Sequence, residues 1–394
     1  MKILLIAKSI DKPGGAGRLE AYLAKALAEL GYNGVIISPT HPHIYYSSLL
    51  PKHIKIYTLQ ELLLVPPSIP LLDYILSLKF VEPIIIRIIE KEMPQVIISS
   101  GGLLKSIAKK ASDIEAKIAV YYHMIMPWYI ETRGFYRKYR WSDLSMLWFG
   151  LTTALSLIKS IDFDPWSYAD IVIVNSKYMA HLAKRYWNIE PYVLQPPIEL
   201  KNFIPPPREE RRLEVLSIGR LNPDKRYEDL IEAIGKKDTL RSSIMIKLAG
   251  ALSNERYVKS LLKLAKKYGV RVSIKVNVSE EEKRELLSKS LIFVNCSKHE
   301  HFGISIIEAM AYGTPVIVHR SGGPYFDITD RGIYGLTYAD VDELAYNIEL
   351  LVEDYEAWMK YSELALYRAK FYDFNSFKLR LSYVLSKLLG EGIK

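Results

Sequence analysis

The sequence predicts an α/β fold in two domains, each built on a parallel sheet. Three observations lead there. Short runs rich in β-branched and apolar residues alternate with amphipathic helical patterns along nearly the whole chain, as strands buried on both faces of a sheet require. The length, 394 residues, exceeds the usual size of one domain and gives each of two an ample core. Between the halves, "PPIELKNFIPPPREERR", residues 196–212, joins a proline cluster to charge, which stiffens an extended connection and excludes a central strand. The predicted division is therefore 1–200, 201–373 and a helical tail over 374–394, whose apolar residues fall in a stripe.

Composition narrows the class. With 49% hydrophobic and 25% charged residues the chain matches a soluble globular protein and not a disordered one. The single cysteine, Cys296, excludes an intramolecular disulfide and a cysteine-based zinc cage, which fits the cytoplasm. The start "MKILLIAKSI" lacks a cleavage site and reads as a first strand, not a signal peptide. The net charge of +9 is spread over both halves, which argues against a nucleic-acid-binding face. One local exception is "RGFYRKYRW", residues 133–141, where basic and aromatic residues alternate ahead of a charge-free run over 144–158. That run is shorter than the roughly 20 apolar residues a spanning helix needs. Peripheral contact with an anionic membrane face is one expectation for it, a core helix beside a solvated loop the other.

In open parallel sheets ligands bind beyond the carboxyl ends of the strands, so the loops after the strands carry the candidate chemistry. After "KILLIAK" comes "SIDKPGGAGRLEAYLAKALAELGY", where Gly14, Gly15 and Gly17 open a helix that Gly31 closes. Glycines there let the backbone approach an anion, and the first-turn amides favour a phosphate. A dinucleotide fingerprint fails, because Glu20 stands where its third glycine belongs and the second strand ends in "VIISPT" without an acidic residue for a ribose. A merely structural tight turn is the other reading. The strand "KIAVYYH" ends in His123, placed to donate to a phosphate or to accept from a sugar hydroxyl, if it is not a satisfied core histidine. After "DIVIVNS", Asn175 or Ser176 is expected to cap the next helix.

The second half opens with "LEVLSIGRLNPDKR", a strand ending at Gly219 and Arg220 with Lys225 five residues on. Two such cations can neutralise a diphosphate, the arginine by its fork and the lysine as a point charge. "VSEEEKRELLSKS" begins with Ser279 and Glu282, a capping box. In "KHEHFGISIIEAMAYGTPVI", Glu300 falls in a loop and Glu308 in the helix that follows, from about Gly303 to Tyr312. Eight helical residues would turn the pair apart by about 80°, so a shared helix face does not explain the spacing. Two carboxylates so separated suit two sets of hydroxyls on one elongated ligand, with the amides near Gly303 taking a phosphate between them. A metal is not expected at His299 and His301, since HEH lacks the i, i+4 spacing of helix-borne zinc ligands.

"EHFGISIIE" resembles the Glu-x7-Glu motif of the family 4 retaining glycosyltransferases. "SIGRLNPDKR", "SGGPYFDI" and the "PGGAG" turn are similar to that family as well, and within it the pattern is closest to the dolichol-pathway α-1,2-mannosyltransferases that use GDP-mannose. The resemblance implies the GT-B fold, two facing Rossmann-like domains with a final helix returning to the first. It implies a hexosyltransferase acting on a glycan or lipid-linked glycan acceptor at the cytoplasmic membrane face, with mannose from GDP-mannose or another hexose from a UDP-sugar. No metal and no cofactor beyond the donor are expected. By position it implies catalytic roles for His123, Arg220, Lys225 and Glu300. Donor contacts are implied at Gly14, Gly15, Ala16, Gly219, His301, Phe302, Gly303, Ile304 and Glu308. Glu300 would hold the hexose and Glu308 the ribose. The acceptor hydroxyl would attack from the face the diphosphate leaves, and the leaving phosphate would take its proton. A sugar-nucleotide epimerase or another non-transferase enzyme of the same fold is the alternative.

Overall fold

The computed structural model describes residues 1–12, 14–63, 81–124, 166–200 and 204–390, so the basic and apolar stretch over 133–158 lies outside the described residues. The chain divides into two compact units. The first holds Met1–Asn175, Met179–Pro196 and Asn375–Lys394; the second holds Ser176–Tyr178 and Pro197–Phe374.

The first unit is a seven-stranded sheet in the order β3-β2-β1-β4-β5-β6-β7, with every neighbouring pair parallel. Its strands are β1 (Lys2–Ile6), β2 (Asn33–Ser38), β3 (Lys55–Thr58), β4 (Val96–Ser100), β5 (Lys117–Tyr122), β6 (Ile171–Val174) and β7 (Tyr192–Val193). Helix α1 (Gly15–Glu29) follows β1 and buries Leu19, Leu23, Ala26 and Leu27, residues spaced to share one face. Helices α2 (Glu82–Glu92) and α3 (Lys105–Asp113) flank β4, and α4 (Lys177–Trp187) follows β6. The C-terminal α11 (Phe374–Leu389) belongs to this unit from Asn375 onward, and Lys378 Nζ lies 2.8 Å from Glu29 Oε2 at the end of α1.

The second unit is a six-stranded parallel sheet in the order β10-β9-β8-β11-β12-β13. Its strands are β8 (Arg212–Ile218), β9 (Met245–Gly250), β10 (Arg271–Val276), β11 (Ser290–Asn295), β12 (Val316–His319) and β13 (Leu336–Tyr338). The longer helices are α5 (Tyr227–Gly235), α6 (Glu255–Tyr268), α7 (Glu280–Lys289), α8 (Ile304–Ala311), α9 (Val341–Glu353) and α10 (Tyr355–Lys370). Alternate residues of the strands feed two cores. Val215, Ile246, Ile292 and Val294 pack with α5, α6 and α9, while Leu216, Phe293, Val316 and Val318 pack with α8 and α10.

The β-branched runs that the sequence displays are, apart from the run over β10, the inner strands. The strands it does not display, β3, β7 and β13, all sit at sheet edges, where two to four residues suffice and part of each face stays open to solvent. β10 is an edge strand too, and its residues are exposed or half-buried, unlike the doubly buried strand expected from "VRVSIKVN". Ser279 and Glu282 form both bonds of the capping box. At the start of α4 the amides of Lys177 and Tyr178 donate to the carboxylate of Asp327. Asn175 sends its amide to the carbonyl of His123, 3.1 Å away. Among the described residues no helix is long and apolar enough to cross a membrane.

Candidate active site

Strand order reverses between β8 and β11 in the second unit, and a crevice beyond the carboxyl ends of such a pair is where open α/β sheets hold ligands. After β8 the chain passes Gly219 and Arg220 into one tight turn, Pro223–Lys225. A Cβ on Gly219 would lie 3.3 Å from Lys225 Cε, so the lysine stem lies over the glycine. A Cβ on Gly250, at the end of β9, would meet Gly219 O at 1.9 Å; only glycine fits there. Lys225 Nζ donates to Glu300 Oε2, and both side chains are largely buried. Burial opposes the charge on each, but their attraction outweighs it: Glu300 is held down to about 2 by Lys225, His301 and Arg220, and Lys225 is held above its ordinary value by Glu300 and Asp224. Both are therefore ionised at neutral pH. Arg220 is mostly exposed, 3.4 Å from Asp224, a weak surface pair that leaves its fork available.

Glu300 lies in the loop between β11 and α8. His299 at φ 55° and Gly303 at φ 100° bend that loop, and the Gly322-Gly323 segment lies directly against it. Gly323 N donates to Glu300 O at 2.7 Å, and a Cβ on Gly323 would come within 2.3 Å of His301 O. "SGGP" is thus a backbone support for the Glu300 loop. His301 is driven down to about 4, chiefly by burial, and is neutral at physiological pH. Its carbonyl accepts from Ser176 Oγ at 2.7 Å. Phe302 is a core residue packed edge-on against Tyr372, 5.7 Å between ring centres, so only its backbone can meet a ligand. Gly303 is the N-cap of α8 and no side chain caps the helix, leaving first-turn amides such as that of Ile304 directed at the same loop. One turn deeper, Glu308 Oε1 lies 3.0 Å from Lys283 Nζ, which also lies 2.9 Å from Glu280 Oε2. The sequence analysis did not single out Lys283, which lies next to Glu282 on the capping-box helix.

The first unit has its own reversal between β1 and β4. Beyond β1, the Gly14-Gly15-Ala16 turn leads into α1, again without a side-chain cap. Tyr46 Oη receives the amide of Gly14 and donates to its carbonyl, both at 2.9 Å. Gly17 is the glycine that packing demands, because a Cβ there would meet Ser9 O at 2.3 Å. Beneath the turn, Glu20 is fully buried and accepts from the amides of Lys8 (3.0 Å) and Ser9 (2.9 Å). His123 follows β5, with Nε2 2.8 Å from Ser100 Oγ. The expected residues thus form two sets: Gly14, Gly15, Ala16 and His123 at the switch point of the first sheet, and Gly219, Arg220, Lys225, Glu300, His301, Phe302, Gly303, Ile304 and Glu308 at that of the second.

Residues 200–366 match the family described as "Glycosyl transferases group 1". Over 178 residues the chain is 32% identical to the GDP-Man:Man(3)GlcNAc(2)-PP-Dol alpha-1,2-mannosyltransferase of Mus musculus and 31% to that of Homo sapiens. The match covers 41% of this chain and spans only 36% of the mouse protein's length. Among solved structures, a glycosyltransferase from Rickettsia africae superposes with a TM-score of 0.72 at 17% identity, covering 99% of both chains. Anabaena HepE in complex with UDP and glucose superposes at 0.68 and 19%, covering 98% of this chain and all of that one. The fold is that of the GT-B glycosyltransferases.

Proposed function

We propose, from the premise that residues 200–366 are a group 1 glycosyl transferase domain, that the chain is a retaining hexosyltransferase. Its donor is GDP-mannose and its acceptor a lipid-linked glycan met at the cytoplasmic membrane face. The observation that carries the reading is the pairing of Lys225 with Glu300 beside the uncapped start of α8, with Glu308 one turn along the same helix.

That arrangement has the parts a sugar nucleotide needs. Glu308 accepts from the ribose hydroxyls, and anionic Glu300 accepts from those of the hexose. The first-turn amides of α8, Lys225 and Arg220 receive the diphosphate. As the glycosidic bond lengthens, negative charge grows on the leaving phosphate, and donors already fixed in place stabilise it without reorganising. Lys225 is such a donor, since its stem rests over Gly219 and its head is fixed by Glu300. The acceptor hydroxyl attacks from the same face and gives its proton to the departing phosphate. His123 and the Gly14-Gly15-Ala16 turn keep the roles of contacts to the sugar and the diphosphate. The named activity of the mouse and human relatives supports mannose and a dolichol-linked acceptor; HepE, solved with UDP and glucose, keeps a UDP-sugar as the competing donor.

Calorimetric titration with GDP, UDP and ADP, followed by transfer from GDP-mannose to a lipid-linked glycan with the anomeric configuration read by NMR, tests the reading. Tightest binding of GDP and an α-linked product are expected. Failure of all three nucleotides to bind would overturn it.

A further inference from the structure

Lys8, two residues past the end of β1, is a half-buried lysine that the donor chemistry leaves unused. Its side chain crosses from β1 to the segment after β4, where Nζ donates to Gly102 O at 2.7 Å. Gly101, at φ 84°, turns that segment, and a Cβ on it would lie 3.5 Å from the same nitrogen. Among the described residues that carbonyl is the only acceptor the ammonium meets, and it forms no ion pair, so two of its three protons have no protein partner. Glu20 lies close enough to attract it, but the Glu20 oxygens accept from the backbone amides of Lys8 and Ser9 at 3.0 and 2.9 Å. Burial therefore lowers the Lys8 ammonium to about 8, against that attraction, whereas Lys225, clasped by Glu300, is held above its ordinary value.

A half-buried donor short of acceptors, at the switch point between β1 and β4, stands where an open parallel sheet holds a ligand. The Ser100 Oγ–His123 Nε2 contact, at 2.8 Å, is made from the same segment, two residues before Gly102. In the transferase reading the diphosphate already has Lys225, Arg220 and the α8 amides, while the acceptor glycan has no group assigned to it. The Glu20 carboxylate behind the ammonium also offsets its charge, which weakens its pull on a phosphate and leaves its directional N–H bonds, the kind a polyol uses. We propose that Lys8 is an acceptor-binding residue, donating its two remaining protons to hydroxyls of the glycan that receives the hexose. That the saccharide is an acceptor rests on the transferase reading; that a saccharide binds at Lys8 does not.

Reductive methylation of the full chain with formaldehyde and cyanoborohydride, read at Lys8 by peptide mass spectrometry, tests the site without a mutation. Lys8 is expected to be labelled, to be protected by the soluble oligosaccharide Man(3)GlcNAc(2), the glycan in the names of the mouse and human relatives, and not to be protected by GDP alone. A Lys8 that never reacts, labelling indifferent to the oligosaccharide, or protection by GDP alone overturns the proposal. Lys8→Met keeps the stem and removes the donor. It is expected to lower kcat/KM for the lipid-linked glycan by roughly 10- to 150-fold with bare GDP affinity unchanged, and Lys8→Arg, which keeps charge and donors, to regain part of the loss. Wild-type kcat/KM for the glycan in a folded Lys8→Met protein overturns the proposal; if that variant does not fold, the labelling of wild type decides. Protection of Lys8 by the oligosaccharide in a protein that transfers no sugar would uphold the saccharide site and refute the transferase reading.

Discussion

Lys283 Nζ lies 3.0 Å from Glu308 Oε1, so the deeper glutamate of the second unit is held by a cation from a neighbouring helix, as Glu300 is held by Lys225. Glu300 is thereby kept ionised, and both carboxylates are pointed before any ligand arrives. Such a group accepts from hydroxyls at full strength, contributing about 1.5–3 kcal/mol.

Glu308→Ala is expected to weaken the binding of bare GDP or UDP by roughly 10- to 150-fold, because the ribose belongs to the nucleotide. Lys283→Ala should move binding in the same direction by a smaller factor, since it unpins the carboxylate without removing it. Glu300→Ala should leave bare-nucleotide affinity nearly intact while kcat with the sugar nucleotide falls, a loss confined to the transition state. Calorimetry beside steady-state kinetics separates these; equal loss of nucleotide binding in the Glu300 and Glu308 variants would defeat the division of labour.

The Lys225–Glu300 pair sets a pH dependence of stability. Glu300 has a folded pKa of about 2 against an ordinary 4.5, so the folded state binds fewer protons than the unfolded one in between. Its stabilisation is complete above 4.5 and is lost as pH falls toward 2. Lys225→Met strands a buried carboxylate and should cost about 3–5 kcal/mol near neutrality. Chemical denaturation at a series of pH values should show the gap between wild type and variant closing as pH falls below 5. A gap that stays constant would mean the pair is not what stabilises.

Chelators are expected to leave activity intact, because Lys225, Arg220 and the α8 amides supply the positive charge that a metal would bring to the leaving diphosphate. Assays in excess EDTA check this. Abolition of turnover by EDTA, restored by magnesium or manganese, would reassign those residues.

Membrane contact through residues 133–158 is tested by flotation with anionic liposomes at low salt. The alternating basic and aromatic residues predict that wild type rises with the vesicles and that replacing Arg133, Arg137, Lys138 and Arg140 by Gln leaves it at the bottom.

How much of this is legible in sequence depends on how locally each feature is encoded. The inner strands and the Ser279 capping box are written in a few adjacent residues, and they read correctly. β3, β7 and β13 do not, because an edge strand needs no continuous apolar run. The donor-side loops could be read because glycine and charge stand out beyond strand ends. Lys283 could not, since its meeting with Glu308 joins two helices 25 residues apart in sequence. Glu20 registered only as the residue that spoils a dinucleotide fingerprint; its burial beneath the amides of Lys8 and Ser9 is a product of the folded turn between β1 and α1.

Gly323 offers the sharpest test that the "SGGP" segment serves the Glu300 loop. Its φ of −55° suits any residue, so alanine there brings no backbone strain, and what it brings is one methyl group. That methyl would lie 2.3 Å from His301 O and 2.9 Å from Phe302 Cα, atoms of backbone that cannot rotate away. The loop must therefore move by several tenths of an ångström or more, carrying the Glu300 carboxylate off Lys225. Overpacking of this kind costs about 1–3 kcal/mol, which a chain of this size survives. Gly323→Ala should accordingly fold, with a modestly lowered melting temperature, and bind bare GDP less than 10-fold more weakly. Its kcat with the sugar nucleotide should fall at least as far as that of Glu300→Ala, since a misplaced carboxylate still repels the leaving phosphate. Wild-type turnover in a folded Gly323→Ala protein would show that the loop tolerates the shift and that Glu300 does not act from the position described.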